Sequence, residues 1–129
     1  MTQDEGEDTQ ALEALLDRQL QAFNAHDVPG LLDCYGADAE QILLDGSEAM
    51  LLARGHEALG ARFASRFADA RPQAQLLSRH VAGALVLDHE RLHQWSQGRR
   101  VLVELWVLYE VAQGRIQRAW LRRGPEQAA

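Results

Sequence analysis

Lysine is absent from this sequence, in which all 13 basic residues are arginines. A reaction that passes through a Schiff base on a lysine side chain is therefore excluded. Cysteine occurs once, as Cys34, so the sequence allows no intrachain disulfide and no cysteine-rich metal site. We interpret Cys34 as a small buried hydrophobic residue.

Long hydrophobic runs are also missing. No apolar stretch approaches the ~20 residues that a transmembrane helix needs. The N-terminal segment is acidic, which is typical of neither a secretory signal nor a transit peptide. We therefore expect a cytoplasmic protein that has no membrane partner.

Basic residues are missing from the start of the chain, because the first arginine is Arg18. The acidic residues that precede it supply most of the formal net charge of −6. A nucleic-acid surface needs a basic stripe, so we exclude nucleic acid as a partner. Residues 99–123 are locally basic, with six arginines against Glu104 and Glu110. We interpret these arginines as solvated strand edges rather than as an anion site.

Signatures of cofactor and metal binding are lacking as well. The sequence contains no phosphate-binding glycine loop and no Gly-x-Ser-x-Gly nucleophile turn. Its five histidines are scattered, and His89 and His93, four apart on a predicted strand, are too distant for easy chelation. We predict no cofactor and no metal.

The strongest positive signal is the stretch from Val101 to Val111, in which nine of eleven residues are apolar. β-branched and aromatic residues dominate it, which favours a strand over a helix. A strand that is apolar on both faces must be covered on both sides. Residues 112–114 then predict a turn, and residues 115–123 predict a second strand that returns beside the first.

The remaining pattern predicts helices early and a strand meander late, which is typical of an α+β protein. Asp27 is a good N-cap for a short second helix. We predict an acidic disordered tail at 1–8, one domain at 9–124 and a C-terminal tail at 125–129. The other elements are helices at 9–25 and 55–70 and strands at 40–44, 49–54, 73–82 and 84–95.

Three segments in this order resemble the nuclear transport factor 2-like superfamily, which includes SnoaL-like and ketosteroid isomerase-like domains. The first is Ala22-Phe23-Asn24-Ala25-His26-Asp27 with Leu31-Leu32 and Tyr35-Gly36-Ala37-Asp38-Ala39. The second is Ala53-Arg54-Gly55-His56-Glu57-Ala58-Leu59, and the third is Tyr109-Glu110-Val111-Ala112-Gln113-Gly114-Arg115-Ile116. The resemblance covers residues 9–123.

The resemblance implies a conical, half-open barrel in which a curved antiparallel sheet wraps around three helices from the N-terminal half. It implies a pocket for a small hydrophobic molecule and a homodimer that packs through the outer sheet face, with Trp106 and Trp120 as anchors. The implied pocket residues are Gln19, Phe23, Tyr35, Leu43, Phe63, Leu105, Val107 and Tyr109.

The isomerases of this superfamily use a tyrosine, a carboxylate base and a protonated aspartic acid. Aligned with them, this chain places Gln19, Leu43 and Val107 at those positions. The chemistry of the isomerases is therefore not expected here, although their fold is.

Acid/base candidates lie on the predicted fourth strand. Strand alternation places Asp88 and Glu90 on one face, and the isomerase alignment turns that face toward the pocket. Two desolvated carboxylates about 7 Å apart repel, which raises one pKa into the range of a general acid. The competing interpretation is a strand that emerges into solvent with its charges paired to arginines such as Arg79. His80, on the neighbouring strand, is the candidate general base.

Glu104 is an unexpected carboxylate within the apolar stretch. Because it shares a face with Trp106, we expect it on the outer side, paired with Arg118 or Arg122.

Three functions fit these observations. The first is a cofactor-free isomerase, cyclase, dehydratase or hydrolase that acts on a small hydrophobic molecule through Asp88, Glu90 and His80. The second is a protein that binds such a molecule without chemistry. The third is a dimeric interaction module with a filled core. Whether the protein is an enzyme is left open by the sequence.

Overall fold

The computed structural model describes residues 4–129, with side chains from residue 8 onward. In this part of the chain the helices are α1 (Asp4–Asn24), α2 (Val28–Leu32) and α3 (Gly55–Asp69). The strands are β1 (Tyr35–Asp45), β2 (Glu48–Arg54), β3 (Gln73–Ala82), β4 (Leu85–Ser96), β5 (Arg99–Ala112) and β6 (Arg115–Ala128).

The six strands form one curved, unclosed sheet in the order β2-β1-β6-β5-β4-β3. The β1–β6 pair is parallel, and every other neighbouring pair is antiparallel. The α+β prediction is confirmed. Among the described residues, no helix is both long enough and apolar enough to cross a membrane.

β5 lies near the middle of this sheet and alternates between buried and more exposed residues along its length. Val103, Val107 and Tyr109 are buried on the concave face, while Trp106 is exposed on the other face. The two faces predicted for Val101–Val111 therefore exist as expected. The hairpin turn that follows has positive φ angles at Gln113 and Gly114, which suits a two-residue turn between twisted antiparallel strands.

α1 lies on the concave side because its apolar residues recur at helical spacing. Leu12, Leu15 and Leu16 are buried in one core cluster, together with Leu59 of α3 and Val86 of β4. The side chain of Asp27 accepts a hydrogen bond from Gly30 N and caps α2, as the sequence predicts.

Two boundaries differ from the sequence prediction. β1 begins at Tyr35, which was predicted as part of the short second helix, rather than at residue 40, because Tyr35 pairs with Ile116 of the parallel strand β6. The predicted C-terminal tail, 125–129, is a continuation of β6 to Ala128, since the long β5 offers partners for it. The register shifts around Gly124 and Pro125, so the proline lies at a bulge, where its missing N–H costs no ladder bond.

The N-terminal boundary also differs, because the backbone is helical from Asp4 rather than from Thr9. Residues 1–3 of the predicted acidic tail lie outside the described residues. The prediction of disorder at 1–8 is thus corrected for 4–8.

Asn24 ties the end of α1 to the start of β3. Its Nδ2 donates to Ala74 O at 3.0 Å, and Ala74 N donates to its Oδ1 at 2.7 Å. His26 stacks on Phe67 with its ring nitrogen 2.7 Å from Pro72 O. One of the motifs behind the family resemblance is therefore a tether between the first helix and the sheet.

Replacing Asn24 with alanine is expected to lower the free energy of unfolding by about 1–3 kcal/mol, because two backbone groups of Ala74 lose their partner. Denaturant unfolding at neutral pH measures this. Asn24→Asp keeps the acceptor for Ala74 N but sets a carboxylate oxygen against Ala74 O, so it should also be less stable than the wild type. An unfolding midpoint for Asn24→Ala equal to that of the wild type would contradict the tether.

Candidate functional site

A small inner cavity of about 40 Å³ lies between α1 and the concave face of the sheet. Polar side chains occupy part of its wall, and aromatic and aliphatic side chains occupy the rest. Its lining residues are Gln19, Phe23, Tyr35, Gln41, Phe63, Glu90, Leu105, Val107, Tyr109, Ala119 and Leu121.

An outer cavity of about 60 Å³ adjoins it. Five residues line both cavities: Phe23, Gln41, Phe63, Leu105 and Leu121. The outer cavity adds Leu43, Leu52 and Leu92 together with three arginines, Arg62, Arg66 and Arg123. The two cavities therefore adjoin at a shared wall, with a basic lining in the outer one and a carboxyl group in the inner one.

Glu90 supplies the carboxyl group of the inner cavity. It projects from β4 and is only 5% exposed. The described residues offer it no hydrogen bond and no ion pair, which is unusual for a buried carboxyl group. Asp88 shares this face and is also buried, so the predicted orientation of the pair is confirmed.

Asp88, in contrast, is fully engaged. Arg79 Nε donates to its Oδ1 at 2.7 Å, and Arg79 Nη2 donates to its Oδ2 at 2.9 Å. Arg79 Nη1 also donates to Asp17 Oδ1 of α1 at 2.8 Å. Burial alone would lower the pKa of Arg79, but its hydrogen bonds to Asp88 and Asp17 raise it. A bidentate, buried ion pair of this kind is structural, and since Arg79 holds both oxygens of Asp88 we do not assign proton transfer to it.

Burial raises the pKa of Glu90 from its ordinary value near 4.5 to about 7. The negative charge of Asp88 acts in the same direction, while the positive charge of Arg79 opposes it. The sequence prediction that one carboxyl of the pair has a raised pKa thus applies to Glu90. Its main cause is desolvation rather than mutual repulsion.

Two tyrosines stand beside Glu90 in the inner cavity. Burial, followed by the charge of Glu90, raises the pKa of Tyr35 and of Tyr109, so both phenols are neutral donors at physiological pH. Tyr109 Oη donates to Gln19 Oε1 across a long 3.4 Å contact. The side chain of Gln19 therefore faces the cavity.

The implied pocket residues come together, with one shift. Seven of the eight line the inner cavity, and Leu43 lines the outer one instead. The three positions at which the isomerases place catalytic groups, Gln19, Leu43 and Val107, all border this space and carry no ionisable group.

His80 does not join the site. It is exposed on the outer face of β3, opposite Leu87, while Arg79 beside it points inward to Asp88. The prediction of His80 as a general base near the cluster is corrected, because strand alternation turns it away.

Glu104 is on the outer side, as predicted, but its predicted partners are wrong. It lies 3.4 Å from His89 Nε2, whose ring stacks on Trp106. Arg118 pairs with Glu110 and Glu40, and Arg122 donates to Leu44 O. The ion pairs of Arg118 form between residues that are opposite each other on neighbouring strands, because Arg118 lies opposite both Glu110 and Glu40.

Sequence reasoning missed the arginines of the outer cavity. Arg62 and Arg66 are four residues apart on α3, beside the buried Phe63 and Phe67. This spacing places them on one side of the helix, next to its apolar face, which is the signal that could have identified them. Arg123 faces the same space because it pairs with the buried Leu105.

A larger depression lies elsewhere and has a volume of about 490 Å³. It is an open groove between α1 and the turns at Gly83 and Gly114, with Asp8 and Arg18 as its ionisable lining residues. We place the candidate site in the enclosed space around Glu90, where charge is desolvated. In the described part of the chain, no group of three or more histidine, cysteine, aspartate or glutamate side chains can hold a metal ion.

A family model described as a SnoaL-like domain matches residues 16–119. Because the match covers most of the chain, the protein belongs to the SnoaL-like family, and the resemblance predicted from the sequence is confirmed. No curated protein has a matching sequence.

Solved structures share the fold. SalBIII, an epoxide hydrolase/cyclase-like enzyme in pyran ring formation in the polyether salinomycin, has a TM-score of 0.77 at 16% identity, over 91% of this chain and 93% of that chain. An LEH-like epoxide hydrolase of M. tuberculosis has a TM-score of 0.72 at 18% identity, over 90% and 84%. An uncharacterised cystatin fold protein from Novosphingobium aromaticivorans has a TM-score of 0.73 at 18% identity, over 84% and 94%. These likenesses establish the fold alone.

Glu90 predicts a pH dependence of stability. Its pKa is near 7 in the folded state, whereas the ordinary value is near 4.5. Between these two pH values the folded protein keeps a proton on Glu90 that the unfolded chain releases. Its stabilising contribution is complete below about pH 4.5 and is lost as the pH rises to about 7.

Glu90→Gln removes this ionisation, so its free energy of unfolding should exceed that of the wild type above pH 7 by on the order of 3 kcal/mol. Denaturant unfolding at pH 4.5, 6 and 8 measures the difference between the two proteins. A difference that is the same at all three pH values would rule out a raised pKa for Glu90.

Proposed function

We propose that this SnoaL-like protein is a cofactor-free enzyme that moves a proton within a small, mainly apolar substrate, as in an isomerisation or a cyclisation. The observation that carries the proposal is the buried carboxyl group of Glu90, which lines the cavity without a protein partner. A cytoplasmic location, favoured by the composition, belongs to the same proposal.

Glu90 is suited to act as both base and acid. Its pKa of about 7 keeps both protonation states populated at neutral pH. As a carboxylate it takes a proton from a carbon or hydroxyl of the substrate, and as a carboxylic acid it returns that proton at a second atom. Asp88 supports this role through its charge, while its own oxygens stay bound to Arg79.

The neutral donors complete the chemistry. Tyr109 Oη makes a long contact to Gln19 and is available to donate to a developing oxyanion or to a leaving oxygen. The facing wall of Phe23, Phe63 and Leu105 suits an apolar substrate and excludes water. Two of the similar structures are an epoxide hydrolase-like and an epoxide hydrolase/cyclase-like protein, and opening of an epoxide also needs a base and a donor to oxygen.

The second candidate is binding of a small hydrophobic molecule without chemistry. The absence of ionisable groups at Gln19, Leu43 and Val107, where the isomerases place their catalytic groups, favours it. Both functions require Phe23, Phe63 or the arginine side chains to move when a ligand enters, because the cavities of about 40 and 60 Å³ are smaller than the ~300–1,000 Å³ of common ligand pockets. Saturable binding of small ketones with no exchange of their protons would select this second function.

Proton transfer to Glu90 can be tested before the natural substrate is known. Wild-type protein in D₂O should exchange the α-protons of small apolar ketones, such as cyclohexanone, with an apparent pKa of about 7 for the base. Glu90→Gln should slow the exchange by roughly 10²–10⁴-fold, the usual contribution of a general base. Mass spectrometry of the recovered ketone gives the rate.

The matched control is Glu104→Gln, which removes a carboxylate from the outer face of the adjacent strand. It should exchange ketone protons at the wild-type rate. Exchange by Glu90→Gln at the wild-type rate would refute the assignment of Glu90 as the base.

We also propose that the outer sheet face joins two copies of the chain in a homodimer. On this face, Leu108 of β5 pairs with Leu87 of β4 on one side and with Trp120 of β6 on the other. Trp106 lies two residues before Leu108 on the same face of β5. Leu87 is 38% exposed and Trp106 is 36% exposed in the single chain. An apolar patch across three central strands is suited to a self-complementary interface.

Trp106→Arg should yield monomers in size-exclusion chromatography with light scattering, because it places a charge at the centre of the apolar patch. Met50→Arg, which alters a more exposed apolar residue on the edge strand β2, should stay dimeric. A wild-type protein that is already monomeric would remove the basis for this interface.

A further inference from the structure

Three arginines surround the outer cavity. Arg62 and Arg66 reach it from α3, and Arg123 reaches it from β6. Arg62 and Arg66 are partly buried, and Arg123 is exposed. Burial, followed by the charges of its two neighbours, lowers the pKa of Arg66 to about 10, and burial and Arg123 lower that of Arg62. The three like charges are therefore close enough to interact unfavourably.

Two of these arginines are held in place by neutral groups. Arg62 Nε donates to Gln41 Oε1 at 3.0 Å, and Arg66 Nη2 donates to Gln94 Oε1 at 3.2 Å. Both glutamines are 6% exposed, so the amides are fixed in the wall. An amide orients a guanidinium without neutralising it, which leaves the positive charge and most of the N–H groups available.

No carboxylate compensates this charge among the side chains that the structure describes, since none of the three arginines forms an ion pair. Asp45 and Glu126 share a shallow neighbouring depression with Arg123 but lie beyond ion-pair distance from it. Elsewhere the chain pairs its buried arginine, since Arg79 contacts both Asp17 and Asp88. Uncompensated positive charge beside a cavity is costly unless an anion from outside completes it.

We propose that Arg62, Arg66 and Arg123 form an anion subsite, and that the ligand of this protein is a short amphipathic molecule with a carboxylate or phosphate group on an apolar body. The anionic group lies in the outer cavity against the guanidinium groups, which suit oxyanions through paired N–H donors. The apolar body lies against Phe23, Phe63 and Leu105, the residues that line both cavities.

This arrangement places the two ends of the ligand in different environments. The anionic end is at the arginines, and the uncharged end projects into the inner cavity toward Glu90. The inference rests on the proposed function for the position of the reacting end, and binding of the anion does not require Glu90 to transfer a proton. A substrate without the anionic group would therefore bind against the apolar residues alone, and the arginines would not fix which of its ends points toward Glu90.

Matched probes test the subsite. Hexanoate, hexyl phosphate and the neutral hexanamide are titrated into the wild-type protein, and dissociation constants are taken from NMR chemical-shift changes. We expect at least one anionic probe to bind about tenfold more tightly than hexanamide, as charge-assisted hydrogen bonds predict. The preference between hexanoate and hexyl phosphate identifies the anion.

Arg66→Gln and Arg123→Gln should each weaken the preferred anion by about tenfold and leave the affinity for hexanamide unchanged. Arg99→Gln, which removes an exposed arginine outside both cavities, is the control and should change neither affinity. Both variants are expected to fold, because removing one of three like charges relieves repulsion. Arg123 is exposed, so Arg123→Gln tests the anion subsite even if Arg66→Gln does not fold.

Equal affinities for hexanamide and both anions would overturn the proposal, and so would an Arg99→Gln loss as large as that of Arg66→Gln. Failure of both anions to bind would also overturn it. Glu90→Gln separates this inference from the proposed function. Retained anion preference in that variant supports the subsite, whatever the outcome of the ketone exchange measurement.

Discussion

The interior of this protein depends on the ion pair between Arg79 and Asp88. Arg79 contacts both Asp88 on the sheet and Asp17 on α1, so one guanidinium joins the first helix to the concave face. A buried charge is tolerated only when its partners are close and well aligned, and here they are. Because the guanidinium of Arg79 binds Asp88 and Asp17, it does not pair with Glu90, which lies two residues further along β4. Glu90 is therefore a desolvated carboxyl without an ion-pair partner in the described part of the chain.

Charge inside the barrel is divided between two ends. At the inner end, Asp88 and Arg79 cancel, and the unpaired group is an acid. At the outer end, glutamines orient the two arginines of α3, Arg123 of β6 faces the same cavity, and the excess charge is positive. Apolar residues from α1, α3 and β5 separate the two ends. Such a separation favours a ligand with one anionic end and one uncharged end, and it gives this member of the SnoaL-like family a polarity that the fold alone does not impose.

Much of the fold could be predicted because it depends on local patterns. The alternation of Val101–Val111 assigned both faces of β5, and the alternation around Asp88 and Glu90 placed both carboxyls inward. The prediction for His80 was wrong because strand alternation turns its side chain to the face opposite that of Arg79. The extension of β6 past Gly124 and Pro125 was missed because only the length of β5 makes partners available for it.

The sequence by itself determined the α+β architecture, the family and the residues that face the interior, because hydrophobic periodicity acts over a few residues at a time. Tertiary structure decided which carboxyl is paired and which is free, since that depends on Arg79 reaching across from β3. It also decided that Arg62, Arg66 and Arg123, up to 61 positions apart in the sequence, meet at one cavity. Charge compensation and burial are properties of neighbours in space, and a linear pattern does not contain them.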